Sequence, residues 1–203
     1  QTLNAGIRDY IIKTYQVDTT KKIILFPARM TSWKGQLEFI NVLKKMNTQN
    51  ILVLFAGDTK NKSYTKLVRN KIEQNNLESV CKILGSVNQD EMRNLYQLAD
   101  LSVSFPLRAE GFGRTISESL YSKTPVLAFD YGGVKNQLEN LSSMFKVKPQ
   151  DYQALPAKIQ KLLSLSEVQK KEAIEGVQSV IESNFSKINM VNQYLKLYES
   201  LKS

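Results

Sequence analysis

The chain predicts a doubly wound α/β domain, with a parallel sheet of about six strands covered by helices on both faces. Three observations carry that expectation. Short, continuously apolar runs such as Ile51 to Ala56 (I-L-V-L-F-A) recur at spacings of roughly twenty-odd residues. Amphipathic stretches alternate with them, as right-handed βαβ units require. The apolar runs close on Pro, Gly or Asp, residues that stop strands and open loops.

In order, Thr2 to Lys22 is a polar lead-in with a short helical possibility around Ile7, Ile11 and Ile12. Ile23 to Pro27 reads as a buried strand, and Ala28 to Gly35 as a loop opening a helix whose apolar face is Leu37, Ile40, Leu43 and Met46. Ile51 to Ala56 is the next strand, closed by Gly57 and Asp58. Tyr64 to Gln74 follows as an amphipathic helix with Leu67, Val68 and Ile72 inward. Val80 to Leu84 is a short strand, and Gln89 to Ala99 a helix using Met92, Leu95 and Tyr96, with Asn88 and Glu91 spaced as a capping box.

Leu101 to Phe105 is a strand ended by Pro106. After it a helix of about three turns opens at Gly113 or Arg114, with Ile116, Leu120 and Tyr121 on its apolar face. Pro125 to Phe129 is another buried strand, Tyr131 to Gly133 a turn, Val134 to Leu141 a short helix and Phe145 to Lys148 a last short strand. Three helical stretches then follow, Asp151 to Leu163, Ser166 to Ile181 and Ser186 to Leu201, each beginning near a residue suited to an N-cap. The last carries Met190, Val191, Tyr194, Leu195, Tyr198 and Leu201 on a broad apolar face that must pack on something.

The 203 residues, 42% hydrophobic and 23% charged, have the size and composition of one soluble domain. No apolar run approaches a membrane span and no signal peptide is visible, so a cytoplasmic location is expected. The chain begins at Gln1, and is expected to be a piece of something longer. With no histidine, histidine-ligated zinc, the usual serine or cysteine triads and histidine general bases are excluded within it. Cys81, the one cysteine, lies in an apolar run and reads as a small core residue rather than a nucleophile.

The net charge is +9, and it is unevenly placed: 21 basic against 13 acidic residues through Lys148, then 7 against 6. A basic surplus in the body of the chain favours an anionic partner: a phosphorylated small molecule, a nucleic acid or an anionic membrane surface. A lysine-rich solubility surface is the alternative.

The densest chemistry lies in Arg108 to Glu118 (R-A-E-G-F-G-R-T-I-S-E). Two carboxylates, Glu110 and Glu118, flank two glycines and a helix start. The first amides of a helix lack partners and carry the positive end of its dipole, so those near Gly113, Arg114 and Thr115 suit an anion. Gly111 and Gly113 allow a ligand close to the backbone. Read alone, both glutamates are equally explained as solvated charges around an ordinary turn. Arg29 and Lys34 follow a strand end and can neutralise a diphosphate, though any surface loop can hold two cations. In doubly wound sheets both loops lie beyond the carboxyl ends of the strands, where ligands bind.

Five segments together resemble the C-terminal half of retaining glycosyltransferases of the GT-B fold, the group 1 family: Pro27 to Gly35, Leu84 to Val87, Tyr96 to Pro106, Glu110 to Glu118 and Pro125 to Gly133. The match runs in order from about Ile23 to the end, and the spacing of Glu110 and Glu118 is its most specific feature. The group it resembles most transfers hexoses from nucleotide-sugars in bacterial envelope and polysaccharide synthesis.

The resemblance implies a Rossmann-like second domain, residues 1 to 203. Residues 1 to 22 would lead in from a preceding N-terminal domain, and the helix at 186 to 203 would pack back on it. It also implies that Arg29 and Lys34 contact the donor diphosphate, that Glu110 meets the sugar hydroxyls, and that Glu118 binds the ribose. Amides and side chains of Gly111, Phe112, Gly113, Arg114 and Thr115 would reach sugar and phosphates, and Ser86 and Val87 would frame the base.

By the same resemblance the donor is a UDP-, GDP- or ADP-hexose and no metal or other cofactor is needed. The acceptor would be a glycan or lipid-linked acceptor, with peripheral contact at the inner face of the cytoplasmic membrane left open. Relatives often have a glutamate where this chain has Asn136, which puts a role for that turn in doubt. The rivals are a nucleotide-sugar epimerase of the same fold, against which the lack of histidine argues mildly, and a non-catalytic nucleic-acid-binding module. An RNA platform's aromatic strand faces are not evident.

Overall fold

The structure, a computed structural model, describes residues 5 to 139 and 141 to 201. Six parallel strands form one sheet: β1 (Lys22–Pro27), β2 (Ile51–Ala56), β3 (Cys81–Gly85), β4 (Leu101–Ser104), β5 (Val126–Phe129) and β6 (Lys146–Val147). Their spatial order is β3-β2-β1-β4-β5-β6. The chain therefore winds outward in one direction through β3 and in the other from β4. The boundary between β1 and β4 is the switch point, where a crevice opens beyond the strand ends.

The sheet is covered on both faces because its central strands β1 and β2 are apolar on alternate positions of both sides. Ile24 and Phe26 join Val53 and Phe55 on one side, against Phe39 and Leu43 of α2 (Gln36–Leu43), Val68 of α3 (Lys62–Gln74) and Ile159 of α7 (Leu155–Leu163). Ile23 and Leu25 join Leu52 and Leu54 on the other, against Ile11 of α1 (Ala5–Thr14) and Leu95 and Tyr96 of α4 (Gln89–Leu98). Alternate residues of each strand thus feed opposite cores. On the first side a chain of rings, Phe39, Phe26, Phe105 and Phe129, has neighbouring centroids 5.1 to 6.5 Å apart and runs across the β1–β4 boundary under the crevice. The lead-in helix α1 is part of this domain's packing, although its predicted start at Thr2 lies outside the described residues.

Several expectations are corrected. Leu67 is 55% exposed, because the buried stripe of α3 is Tyr64, Thr65, Val68 and Ile72 and Leu67 falls roughly 100° off it. Tyr121 is exposed for the same reason on α5 (Arg114–Tyr121), whose buried residues are Ile116, Ser119 and Leu120. That helix has eight residues, close to two turns instead of three.

The predicted helix from Ser166 to Ile181 is two, α8 (Glu167–Ala173) and α9 (Val177–Phe185), broken where Gly176 takes a left-handed φ of 77°. The stretch from Asp151 becomes helical only at Leu155: Asp151 accepts the Ala154 N–H at 3.2 Å in a preceding turn, and Pro156 occupies the first helical turn, where its missing N–H costs nothing. Helix α6 (Gly133–Leu138) stops before the predicted end at Leu141, and Asn140 lies outside the described residues. The last strand is a 3-10 turn at Ser143–Phe145 followed by the two residues of β6.

The capping box of Asn88 and Glu91 is present, as is the Ser186 cap that opens α10 (Lys187–Ser200). Helix α10 buries none of its residues; Met190, Tyr194, Leu195 and Tyr198 are each more than half exposed. Among the described residues no helix is long and apolar enough to cross a membrane. Cys81 is buried, and burial pushes its thiol up to about 12, which fits a core residue and not a nucleophile.

Candidate active site

The loops that follow β1 and β4 meet across the switch point. Leu107 donates its N–H to the Trp33 carbonyl at 2.7 Å, and the Lys34 ammonium pairs with the Glu110 carboxylate. Both side chains of that pair are largely buried, 15% and 13% exposed, so the pair is far less screened than a surface ion pair. The ammonium also lies 4.2 Å from the ring centre of Trp33, a cation–π contact.

Above the pair lies a cavity of about 280 Å³ lined by Arg29, Lys34, Arg114, Thr115 and Glu118 with strand-end residues Pro27, Ala28, Ala56 and Gly57. Two loops far apart in sequence therefore present cations and a helix start to one space. Gly113 precedes α5 in a left-handed conformation, φ 77°, and the amides of Gly113, Arg114 and Thr115 bond to no other described residue. These are the unspent donors of a helix N-terminus.

Glu118 is held on both oxygens. Tyr96 donates its hydroxyl to Oε2 at 3.1 Å, and Arg114, one turn earlier on α5, donates to Oε1 at 3.2 Å. Burial and the Glu118 charge raise the Tyr96 phenol well above its ordinary value, so it stays a neutral donor. Met92, Tyr96, Arg114 and Glu118 also line a second cavity of about 680 Å³, walled by Val87, Asn88, Tyr121, Ile181 and Phe185. The two cavities share these four residues and so adjoin as one groove, with Glu118 between its inner and outer parts.

Val87 lines this outer part, whereas Ser86, expected beside it, is exposed and lines neither cavity. Phe112 points away from the smaller cavity and packs edge to face on Phe185, centroids 5.4 Å apart. The turn of Gly111 to Gly113 is backed by α6. Gly133 donates its N–H to the Glu110 carbonyl at 2.9 Å, and a Cβ on Gly133 would come within 2.0 Å of the Gly111 carbonyl oxygen. Asn136 is exposed; the next residue, Gln137, is buried and bonded to the turn. Tyr96 and Gln137 are the site contributors that sequence reasoning missed, the first having been read as core and the second not singled out. Among the described residues no group of three or more His, Cys, Asp and Glu side chains is placed to hold a metal ion.

With this geometry in view, the family model described as glycosyl transferases group 1 matches residues 8 to 177. The chain belongs to the group 1 glycosyltransferases. It is 26% identical over 198 residues to a trehalose synthase of Pyrococcus horikoshii, covering 94% of this chain and 47% of that protein. A glycosyltransferase from Rickettsia africae superposes with a TM-score of 0.90 at 30% identity, covering all of this chain and 53% of its own. Anabaena HepE, solved in complex with UDP-glucose, superposes at 0.83 and 22% identity over 97% of this chain and 53% of its own, a likeness of fold. The group 1 chain described here thus spans about half the length of these relatives, with the Rossmann-like sheet and helical C-terminus of the GT-B fold's second half.

Proposed function

We propose that this chain is the donor-binding half of a retaining hexosyltransferase whose substrate is a nucleoside diphosphate hexose. The observation that carries the reading is the meeting of Arg29, Lys34 and the free amides at the start of α5 around one groove, with Glu118 in its wall and Glu110 paired to Lys34. A pyrophosphate bound there would lie against two fixed cations and a helix N-terminus. Glu118, already oriented by Tyr96 and Arg114, would accept from the ribose hydroxyls, and the outer groove beside Val87 would take the base.

In the reaction the bond from C1 of the sugar to the diphosphate oxygen breaks, and its electron pair stays on that oxygen. Lys34, Arg29 and the amides of Arg114 and Thr115 stabilise the charge that builds there, more in the transition state than in the bound donor. No metal is invoked. Glu110 orients the sugar and offsets positive charge at C1, while an acceptor hydroxyl attacks from the face the diphosphate leaves and gives its proton to the departing phosphate. Without donor, Lys34 and Glu110 neutralise each other, so donor binding exchanges one ion pair for contacts to phosphate and sugar.

The acceptor is proposed, on the sequence resemblance, to be an envelope glycolipid or polysaccharide handled at the inner face of the cytoplasmic membrane. The trehalose synthase relative makes a free sugar the competing acceptor. The apolar face of α10 is proposed to cover a preceding N-terminal domain, so residues 1 to 203 alone should bind donor weakly and transfer little. Titration of UDP, GDP and ADP, each with its common hexoses, tests the reading. Lys34→Ala and Glu118→Ala should each weaken nucleoside diphosphate binding. Unchanged affinity in both would remove the site.

A further inference from the structure

Gln137 lies on α6, 25 residues after Phe112, and is 4% exposed. Its amide is used at both ends: Nε2 donates to the Phe112 carbonyl and approaches the Gly113 carbonyl at 3.5 Å, and Oε1 accepts from the Ser117 hydroxyl in the first turns of α5. We infer that Gln137 is a positioning residue that aims the donor-binding amides by fastening both the turn and the helix after it to α6. The inference rests on the nucleotide-sugar reading given above.

The argument is geometric. In a trans peptide the carbonyl and the N–H point in opposite directions. Holding the Phe112 carbonyl toward α6 therefore directs the Gly113 N–H away from α6, and that N–H has no partner among the described residues. The turn's other restraints act on the Phe112 ring, which packs on Phe185, and on the Gly111 carbonyl, against which Gly133 lies, not on the Phe112–Gly113 peptide plane. Gly111 and Gly113 both lack a side chain, Gly113 already occupies the left-handed region, and Phe112 is 39% exposed. A glycine-flanked peptide of this kind can rotate to present its carbonyl where the N–H belongs, and an oxygen there would repel phosphate. At the other end of the turn, the bond from Gly133 to the Glu110 carbonyl comes from the same short helix. Thus α6 splints the whole segment that bears Glu110 and the anion-facing amides, though its own side chains are not expected to touch the donor.

The test compares wild type, Gln137→Leu and Gln137→Glu in the full-length protein, with Ser117→Ala as a half-loss control. Hydrogen exchange of the segment spanning residues 108 to 118 reads the turn without ligand. Titration with UDP, GDP and ADP reads the site. Gln137→Leu should speed exchange of the Ile116 amide, which is bonded to the Gly113 carbonyl, and weaken nucleoside diphosphate binding, each by about tenfold, with Ser117→Ala about half as affected on a logarithmic scale.

Gln137→Glu keeps the acceptor for Ser117 but sets a carboxylate against the Phe112 carbonyl. Its binding should be weak at neutral pH and recover as pH falls and the carboxyl gains a proton to donate, a recovery that a merely space-filling role would not give. Should Gln137→Leu fail to fold, this pH-dependent recovery decides the matter alone. Exchange and affinity within twofold of wild type in the folded variants, or a Gln137→Glu profile flat with pH, would overturn the inference. If Gln137→Leu loosens the turn while wild type binds no nucleoside diphosphate, the splint stands and the nucleotide-sugar reading falls.

Discussion

The two edges of the β1–β4 boundary each hold a cluster of charges, and they differ in what is left over. At the amino edge Asp100 accepts from Lys22 at 2.9 Å, from Lys170 of α8 at 2.8 Å and from the Ile23 N–H at 2.9 Å. Lys170 in turn reaches Glu167 at 2.8 Å and is only 8% exposed. This knot ties α8 to the start of the two central strands. At the carboxyl edge Lys34 and Glu110 pair, but Arg29 is exposed and the amides at the head of α5 bond to no other described residue. Acidic and basic side chains mark both places. A cavity of about 690 Å³ adjoins the amino edge too, but Asp100 and Lys170 there are bonded to each other. The carboxyl-edge groove is instead lined by Arg114 and Thr115, whose amides are unspent. That unspent capacity, not charge density, separates a binding site from a structural tie.

Substitutions at the two edges should therefore fail in different ways. The largest effect is expected for Lys34→Met, which removes a fixed cation from the leaving group. Turnover of the full-length protein should fall by about 100-fold or more. A Lys34→Met protein that turns over normally would break the contrast. Asp100→Ala should do the reverse. It leaves the nearly buried Lys170 ammonium with Glu167 as its remaining partner and takes the acceptor from the Ile23 N–H, costing about 3 kcal/mol, seen as a melting temperature lower by roughly 6 to 12 °C, with nucleoside diphosphate affinity unchanged in calorimetric titration.

Tyr96→Phe sharpens the comparison, since it removes one hydroxyl from a buried residue at the functional edge. Affinity should drop by about tenfold, and the preference for ribo- over 2′-deoxyribonucleotides should narrow. Equal losses for both sugars would deny Glu118 its ribose role.

The smallest expected effect is in acid. Burial alone would raise the Asp100 carboxyl, but hydrogen bonds from Lys170, the Ile23 N–H and Lys22 hold it below the usual carboxylate range. A folded-state value below the unfolded one gives stability that is present above about pH 4 and lost as pH falls through the folded value. Lys170 is shifted the other way: burial would lower it, yet Asp100 and Glu167 raise it, so its contribution is present at neutral pH and is lost only as the solution becomes strongly alkaline. Urea midpoints between about pH 5 and pH 2 should fall less steeply for Asp100→Asn than for wild type. Parallel slopes would show that the knot is worth less than its geometry implies.

Most of the fold was legible because local signals agreed with it. Continuous apolar strands, the Asn88 capping box and the Ser186 cap all stand where the pattern puts them. The errors fall where a side chain's fate depends on angle. Leu67 and Tyr121 are apolar and helical, yet lie off the buried stripe. Gly176 broke a helix that periodicity alone would have carried through.

The loops after β1 and β4 could be brought together on paper, since strand order in such sheets is restricted and both follow carboxyl ends. The groups that hold the site in shape could not. Tyr96 reaches Glu118 across 22 residues and Gln137 reaches Phe112 across 25, and each looks in sequence like an ordinary residue of an amphipathic helix. A buried polar contact of that span leaves no local periodic trace.

The place of Trp33 has a practical side. It is the chain's only tryptophan, and its ring rests against the very ammonium proposed to leave Glu110 for a phosphate. Indole emission responds to the charge beside it, so the molecule carries an optical reporter in its own crevice. Occupancy can be followed by fluorescence without a label, and a silent signal during saturation by any ligand would mean that the ligand sits elsewhere.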